Sequence, residues 1–510
     1  MKKAVSLRGA ILRLACAAVL IGTAVGILAY RSYRLKPVEQ EYDVQVIPPT
    51  CTENGYSLYT GKEDGSTYVD DIVEATGHSF SEWTQEGEAQ PAQAATRSRS
   101  CSVCGVLEEE WVYPQLVIPV VSLDGSLDGI GKKTEVAMMA GFDGPEASFT
   151  SFATLKYQGH ESLSFDKKNY TLKFWEDEAH TDKNKMVFSH WNEENKYILK
   201  ANYIDPSGCR NLICADVWAA VAASRESTPA EFAKLSNFGA VDGFPIALYI
   251  NGQYQGLYNM NLHKDDDLFG MSDGEKHAIL ITNEGTQPEA NFRAISEFNE
   301  DSAWEVEFCG TEDRTWAQEK LNDFITFVME SDDETFCREL GNYLDVNSAM
   351  DYLLSIYALG LTHHGASDLV LVCYDKDEPW TASMYDMETA FGLAADGKAY
   401  VAADAFLPYQ QEGIWISGTD NLLWDRLVAN FYPELCQRYG QLRQQILAPQ
   451  TLQTMVKDFT GSISAEVYTE NDALYPGFPT AVESIGQIEQ YINERIPLMD
   501  SIFQWEEGTK

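Results

Sequence analysis

The segment GLTHHGASDLVLVCYDKDEPWTASMYDMETAFG, residues 360–392, carries the clearest structural pattern of the chain. Just before it, apolar residues recur with helical spacing over Asn347–Gly360, which predicts a helix that ends at a glycine. A polar loop then leads to an apolar strand, Leu369–Tyr374, and a turn leads to a second strand that ends at Tyr385. Two acidic residues follow that strand. The segment therefore predicts a helix, a loop, a strand pair and an acidic corner, in that order.

This order of elements is that of the C-terminal lobe of a protein kinase, where each catalytic group has a defined position. A phosphoryl group in transfer carries concentrated negative charge, so divalent cations must bridge the phosphates and hard oxygen ligands must hold those cations. We predict Asp386 and Glu388 as metal ligands, with Asp368, at the position of the kinase amide, as a third. His363 occupies the position of the base that accepts the proton of the hydroxyl nucleophile.

Each of these assignments has an alternative that the sequence leaves open. Asp386 could brace the corner, and His363 and His364 could be loop histidines without a role. A further alternative combines His363, His364, Asp368 and Asp386 into a transition-metal site.

The elements upstream have the pattern of a packed α+β domain. Alternation and helical spacing predict strands Leu116–Leu123, Phe152–Tyr157, Tyr170–Trp175 and Tyr197–Ala201 and helices Asn211–Ala222 and Thr315–Glu330. A predicted strand pair, Pro245–Ile250 and Tyr254–Asn259, flanks Asn251-Gly252, a strong hairpin signal. Several amphipathic helices are predicted over residues 421–504, and we find no linker that divides residues 113–506.

Five blocks of this region resemble the spore coat protein H (CotH) kinase family, in the family's order. They are Asp166–Phe174, Tyr197–Asp205 with its continuation to Asn211, Ala247–Tyr258, Lys264–Met271 and Tyr385–Gly392. The resemblance spans residues 115–395 and implies an α+β fold, a two-lobed atypical protein-kinase-like domain over residues 113–506. It also implies phosphotransfer from ATP, with Mg or Mn, to Ser or Thr of a surface or coat protein.

The resemblance is incomplete at the catalytic positions. The family has Asp where this chain has His363, Asn where it has Asp368, and Asp where it has Glu388. A loop that is Arg-Gly-Asn in the family reads Gln158-Gly159-His160 here and continues with Glu161, so a fixed cation is lost and an acid is gained near nucleotide phosphates. These changes favour a pseudokinase over an active enzyme, and a cell-envelope or carbohydrate-binding scaffold is a third hypothesis.

Three cations are candidates for contact with the nucleotide phosphates: Lys168, Lys173 and Arg210. Lys173 lies on a predicted alternating strand and is the best analogue of the strand lysine of a kinase. We therefore expect its amine to lie across a cleft from Asp386. The alternatives are a solvent-facing Lys173 and a structural ion pair of Arg210 with Asp205.

Composition and the N-terminus bear on partners and location. Lys and Arg total 37 against 78 Asp and Glu, a formal net charge of −41, which repels phosphate backbones and argues against nucleic acid as a partner. Basic residues flank an apolar run, Leu14–Tyr30, which predicts a retained signal anchor within residues 1–35, with a cleaved signal peptide as the alternative. The charge asymmetry predicts a single-pass membrane protein with its bulk extracellular, facing a protein substrate or a cell-envelope partner.

Residues 36–112 differ in composition from the rest of the chain, since they are polar and rich in turn-forming residues. They contain a degenerate repeat with an offset of forty residues. Each copy keeps part of a Cys…Cys-x-x-Cys-Gly pattern, and it resembles the cysteine-knuckle repeats of bacterial surface proteins. One interpretation is a zinc ion bound by Cys51, His78, Cys101 and Cys104. The other is a Cys101–Cys104 disulfide or free thiols, and the loss of ligands from both copies favours it.

Overall fold

The structure, a computed structural model, describes residues 41–508 except residues 146, 160, 190, 227, 236 and 284. The predicted membrane segment within residues 1–35 lies outside this part. Among the described residues, no helix is both long enough and apolar enough to cross a membrane. The chain divides into two units, each made of two stretches. The smaller unit comprises the chain up to Glu86 together with Thr96–Glu110. The larger unit comprises Gly87–Ala95 together with the chain from Trp111 onward.

The smaller unit is built on two three-stranded sheets, with strand orders β1-β2-β3 and β4-β5-β6. Their bounds are β1 Tyr42–Ile47, β2 Gly55–Gly61, β3 Thr67–Val73, β4 Thr84–Glu86, β5 Ala95–Ser100 and β6 Leu107–Val112. Among its described hydrophobic residues, only Cys51 and Cys101 are buried. The unit therefore has no apolar core of ordinary size in its described part.

A closed seven-stranded barrel begins the larger unit, with strand order β10-β11-β13-β12-β7-β8-β9. The strands are β7 Val120–Asp124, β8 Val136–Asp143, β9 Ser148–Gln158, β10 Asn169–Trp175, β11 Lys196–Lys200, β12 Gly243–Ile250 and β13 Gln253–Leu262. Neighbours pair antiparallel except β7 with β12. Because side chains alternate along a strand, Leu172 and Leu199 fill the interior and Lys173 and Lys200 lie on the outer face.

The segment 87–95 packs with this larger unit, although the sequence placed it in a module over residues 36–112. The Tyr249 hydroxyl donates to Pro91 O at 2.5 Å, and Ala94 is buried among core residues of the larger unit. The segment is polar, so its sequence showed no sign of these contacts with the larger unit.

A four-stranded antiparallel sheet, in the order β15-β14-β16-β17, follows the barrel. Its strands are β14 Ala278–Thr282, β15 Trp304–Cys309, β16 Leu369–Cys373 and β17 Thr381–Met384, and a separate pair is β18 Tyr409–Gln411 and β19 Ile414–Ile416. Val370 and Val372 pack into the barrel core, whereas Leu369 and Leu371 pack into the helical core. The sheet therefore joins the two cores through its opposite faces.

Eight α-helices complete the described chain. They are α1 Arg210–Ala223, α2 Thr315–Glu330, α3 Asp333–Glu339, α4 Val346–Leu359, α5 Leu422–Arg443, α6 Pro449–Gly461, α7 Ala465–Leu474 and α8 Ala481–Ile502. The α+β class, the Asn251-Gly252 hairpin and the helix that ends at Gly360 are confirmed. Strands β8, β14, β15, β18 and β19 of the larger unit were not predicted.

Candidate functional site

The acidic corner follows β17 and is held by hydrogen bonds from two other elements. His364 Nε2 donates to Tyr385 O at 2.8 Å, and Met387 N donates at 2.7 Å to Asn211 Oδ1 on α1. Asp386 has a φ of +56°, in the left-handed region that Asp tolerates better than most residues. These constraints fix the direction in which the Asp386 carboxylate points.

Lys200, at the end of β11, is the cation that the structure places against this corner. Its Nζ donates to Asp386 Oδ1 at 2.7 Å and lies 3.2 Å from Glu388 Oε2. The Lys200 side chain is 10% exposed, that of Asp386 32% and that of Glu388 23%. Burial alone would raise the pKa of Asp386, but the adjacent ammonium group lowers it below its ordinary value. Burial opposes the charge of Lys200, yet the two carboxylates raise the Lys200 pKa well above its ordinary range.

Asp368 adds a third carboxylate to this cluster. It ends the loop before β16, and its backbone N donates to Thr282 O on β14 at 2.8 Å. Burial raises the pKa of the Asp368 carboxyl well above its ordinary value, and the charge of Asp386 adds to the increase. Burial also raises the pKa of Glu388, although Lys200 opposes this. Lys264 also lowers the pKa values of Asp368 and Asp386. Three carboxylates facing two ammonium groups are still an excess of acid that a divalent cation would relieve.

The donor set fits a hard divalent cation, because carboxylate oxygens are the ligands that Mg²⁺ and Mn²⁺ prefer. Within the described chain, however, the oxygens of Asp368, Asp386 and Glu388 do not gather as closely as those of Asp265–Asp267. The ammonium group of Lys200 bridges Asp386 and Glu388. A cation at this site would therefore share its ligands with the ammonium group.

Lys173, the expected partner of Asp386, lies elsewhere on the barrel. Its Nζ donates to Glu135 Oε1 at 2.6 Å. Lys173 is paired in register with Lys196, four residues before Lys200, so about 13 Å along the strand separates the two lysine positions. The amine against Asp386 is thus that of Lys200 rather than that of Lys173.

The other two cations predicted to contact phosphate have intramolecular partners. Lys168 Nζ donates to two backbone carbonyls of its own loop. Arg210 is fully buried, with its Nε 3.2 Å from Asp205 Oδ1 and its Nη1 donating to Ala390 O. Arg210 therefore braces the acidic corner from behind through a structural ion pair.

The two loop histidines have different environments. His363 is exposed, whereas His364 is fully buried. Burial lowers the pKa of His364 to about 4, so the ring is neutral near pH 7, and its Nε2–H donates a hydrogen bond to Tyr385 O. Among the described residues, the set His363, His364, Asp368 and Asp386 does not form a close group of metal ligands. His160 and the side chain of Glu161, in the altered loop, lie outside the described part.

Sequence reasoning missed Lys200, although a signal for it was present. Lys200 falls inside the block Tyr197–Asp205, and the alternation of Tyr197 and Leu199 into the barrel places it on the outer face. A lysine at the end of a strand, on the outer face of a barrel, can contact an element that packs against the barrel. The sequence did not show that the acidic corner after β17 is that element.

The barrel, the adjoining sheet and the lysine–carboxylate cluster belong to one mixed α+β unit. The family model for CotH kinase protein matches residues 155–499, about two thirds of the chain. The chain therefore belongs to the CotH kinase family, and its function at the family level is kinase-like. The match extends further toward the C-terminus than the blocks that suggested it, and it does not include the smaller unit. No curated protein matches the chain.

Proposed function

We propose that the larger unit binds ATP together with Mg²⁺ or Mn²⁺ at Lys200, Asp386 and Glu388, and that it acts as a pseudokinase, a kinase-like interaction module with little or no turnover. The ion pair of Lys200 with two partly buried carboxylates carries this proposal. Withdrawing such charges from water is unfavourable, and ionisable groups with perturbed pKa values concentrate at functional sites.

Each residue of the cluster has a role in this proposal. A bound divalent cation supplies the neutralisation of phosphate charge. Asp386 and Glu388 would hold it through carboxylate oxygens. Asp368 would become a third ligand, because the charge of a cation would offset the burial and the neighbouring acids that raise its pKa. Lys200 would then turn from its carboxylate partners to a phosphate oxygen as a point charge.

The environment of the cluster supports weak or absent turnover. The position of the family's catalytic Asp holds His363, and the position of its amide holds Asp368. An additional acid beside nucleotide phosphates opposes the charge that develops on the transferred group. Burial is the main cause of the raised pKa of Asp368, and the charges of Asp386 and Glu388 add to it.

Phosphoryl transfer from ATP to a Ser or Thr hydroxyl of a protein is the second candidate function, and the exposure of His363 favours it. An exposed neutral imidazole can accept the hydroxyl proton while the new oxygen–phosphorus bond forms and the bond from the γ-phosphorus to the leaving oxygen breaks. We propose a surface, coat or cell-envelope protein as the partner in either case. The anchor within residues 1–35 and the extracellular location stay predictions.

Thermal unfolding with millimolar ATP and MnCl₂ tests the binding proposal. We expect ligand to raise the melting temperature of the wild type and of Asp420→Asn, and to leave that of Asp386→Asn unchanged. Asp420 is a matched control because it also has a positive φ, +57°, and its side chain is 99% exposed. Absence of a shift in the wild type would contradict both candidate functions.

Incubation with radiolabelled ATP then separates the two candidates. A pseudokinase should incorporate no label, and the double change His363→Asp with Asp368→Asn should restore incorporation if the fold is only disarmed. Label incorporated by the wild type and lost in His363→Ala would instead establish the second candidate.

A further inference from the structure

Three cysteines and one histidine of the smaller unit direct their side chains at a single point. The sulfur atoms of Cys51, Cys101 and Cys104 and a ring nitrogen of His78 all lie within 4.8 Å of one another. Cys51 Sγ is 3.8 Å from Cys101 Sγ, and Cys104 Sγ is 3.3 Å from His78 Nδ1. All three cysteines are free thiols.

These separations are those of the ligands of one tetrahedral zinc ion. Zinc–sulfur bonds of about 2.3 Å and a zinc–nitrogen bond of about 2.0 Å place two sulfurs about 3.8 Å apart, and a sulfur and a nitrogen about 3.5 Å apart. A disulfide needs about 2.05 Å between its sulfurs, and it would use two of the three thiols and leave the third beside an unpaired imidazole. We propose that Cys51, His78, Cys101 and Cys104 bind one structural zinc ion.

The backbone around the cluster is shaped to present these ligands. Gly105 N donates to Cys101 O at 2.9 Å, and Gly105 has a φ of +73°, so the Cys-x-x-Cys segment closes as a tight turn with both thiols on one side. Ser79 N donates to Cys101 Sγ at 3.4 Å, the type of contact that orients a metal ligand from outside the coordination sphere. The imidazole ligand lies directly before this donor in sequence.

The Cys51 loop is tied to the segment that leads to the histidine. Thr76 N donates to Thr50 O at 3.0 Å, and Ala75 N donates to Asn54 Oδ1 at 2.9 Å. These bonds hold residues on either side of Cys51 against the chain just before His78. The loop between β1 and β2 and the segment between β3 and β4 are therefore held together where their two ligands meet.

The site also explains why neither repeat copy keeps a full ligand set. The first copy supplies Cys51, the second supplies Cys101 and Cys104, and His78 comes from the chain between them. In the sequence each copy lacks ligands, and this favoured the interpretation without a bound metal. In three dimensions the surviving ligands are complementary and make one closed four-ligand site, the arrangement of structural rather than catalytic zinc.

The need for such an ion follows from the missing core. Among the described hydrophobic residues of the unit, the two buried ones are themselves ligands, Cys51 and Cys101. A unit of about sixty described residues without an apolar core requires a metal or disulfide to stay folded. Zinc here would stabilise a module that lies outside the CotH family match.

Zinc content of the full chain, purified without chelator, tests this site. We expect one zinc per chain in the wild type and in Cys337→Ser, and at least about tenfold less in Cys104→Ser and His78→Ala. Cys337 is a matched control because it is an exposed free cysteine of the larger unit. Replacement of zinc by Co²⁺ in the wild type should give thiolate-to-metal charge transfer and tetrahedral d–d bands, a readout that does not depend on how the variants fold.

Three results would overturn the proposal. The first is a wild type that takes up no Zn²⁺ or Co²⁺ after reduction. The second is a metal-free wild type whose intact mass shows two hydrogens lost to a disulfide among these cysteines. The third is full zinc retention in Cys104→Ser and His78→Ala, which would place the metal elsewhere in the chain.

Discussion

Replacement of Lys200 by Met tests whether this side chain is the cation that would face bound phosphate. Met keeps an unbranched apolar stem at the end of β11 but removes the ammonium group from Asp386 and Glu388. Loss of one partner from a fully buried ion pair destabilises a protein by about 3–5 kcal/mol. Because the two carboxylates remain 32% and 23% exposed, water can solvate them, and we expect a loss of about 1–3 kcal/mol.

The same variant separates the response to metal from the response to nucleotide. Without the ammonium group of Lys200, less positive charge offsets the two carboxylates, so Mn²⁺ alone should stabilise Lys200→Met more than it stabilises the wild type. ATP added with Mn²⁺ should increase the stability of the variant less than that of the wild type, because the phosphate has lost its partner. Opposite changes of this kind cannot come from general damage to the fold.

Urea denaturation with and without each ligand measures both effects. Lys173→Met is the matched control, since it is the same substitution on the adjacent strand of the same barrel, and it also breaks one ion pair, to Glu135. We expect Lys173→Met to respond to Mn²⁺ and ATP as the wild type does. Loss of the ATP response in Lys173→Met and its retention in Lys200→Met would refute the assignment of Lys200.

Two further changes test the supports of the site. The unfolded chain binds a proton at His364 near pH 6.5, whereas burial lowers the folded pKa to about 4, so stability falls as pH drops from 6.5 toward 4, by up to about 1.4 kcal/mol per pH unit. His364→Gln, which keeps a donor for the corner, should remove that part of the slope in urea titrations at pH 4.5 and 6.5, and an unchanged slope would contradict it. Gly392 has a φ of +72° and a Cβ there would lie 2.5 Å from the Tyr491 ring, so Gly392→Ala should lose about 2–5 kcal/mol. Gly413 has a φ of +83° and open space where a Cβ would lie, so Gly413→Ala should lower the free energy of unfolding by only about 1–2 kcal/mol in the same assay. Equal losses in the two variants would contradict a tight contact between residue 392 and the Tyr491 ring.

Local patterns predicted the elements around the site because each element depends on residues close in sequence. Helical spacing and the left-handed glycine at Gly360 marked the end of α4. The pair Asn251-Gly252, with positive φ at both residues, marked the barrel hairpin. The acidic corner was visible as two carboxylates directly after a strand. These blocks, taken in order, also carried the resemblance to the CotH family that the family match supports.

Only the tertiary structure decided which lysine faces the acidic corner and which thiols meet. Lys173 and Lys200 share an alternation pattern and an outer barrel face, and strand register alone places one of them at the corner and the other about 13 Å away. Cys51 and Cys101 are fifty residues apart. The two repeat copies could be aligned in sequence, but the alignment did not show that their cysteines meet in space. Register and loop closure depend on the packing of the whole unit, so no local pattern contains them.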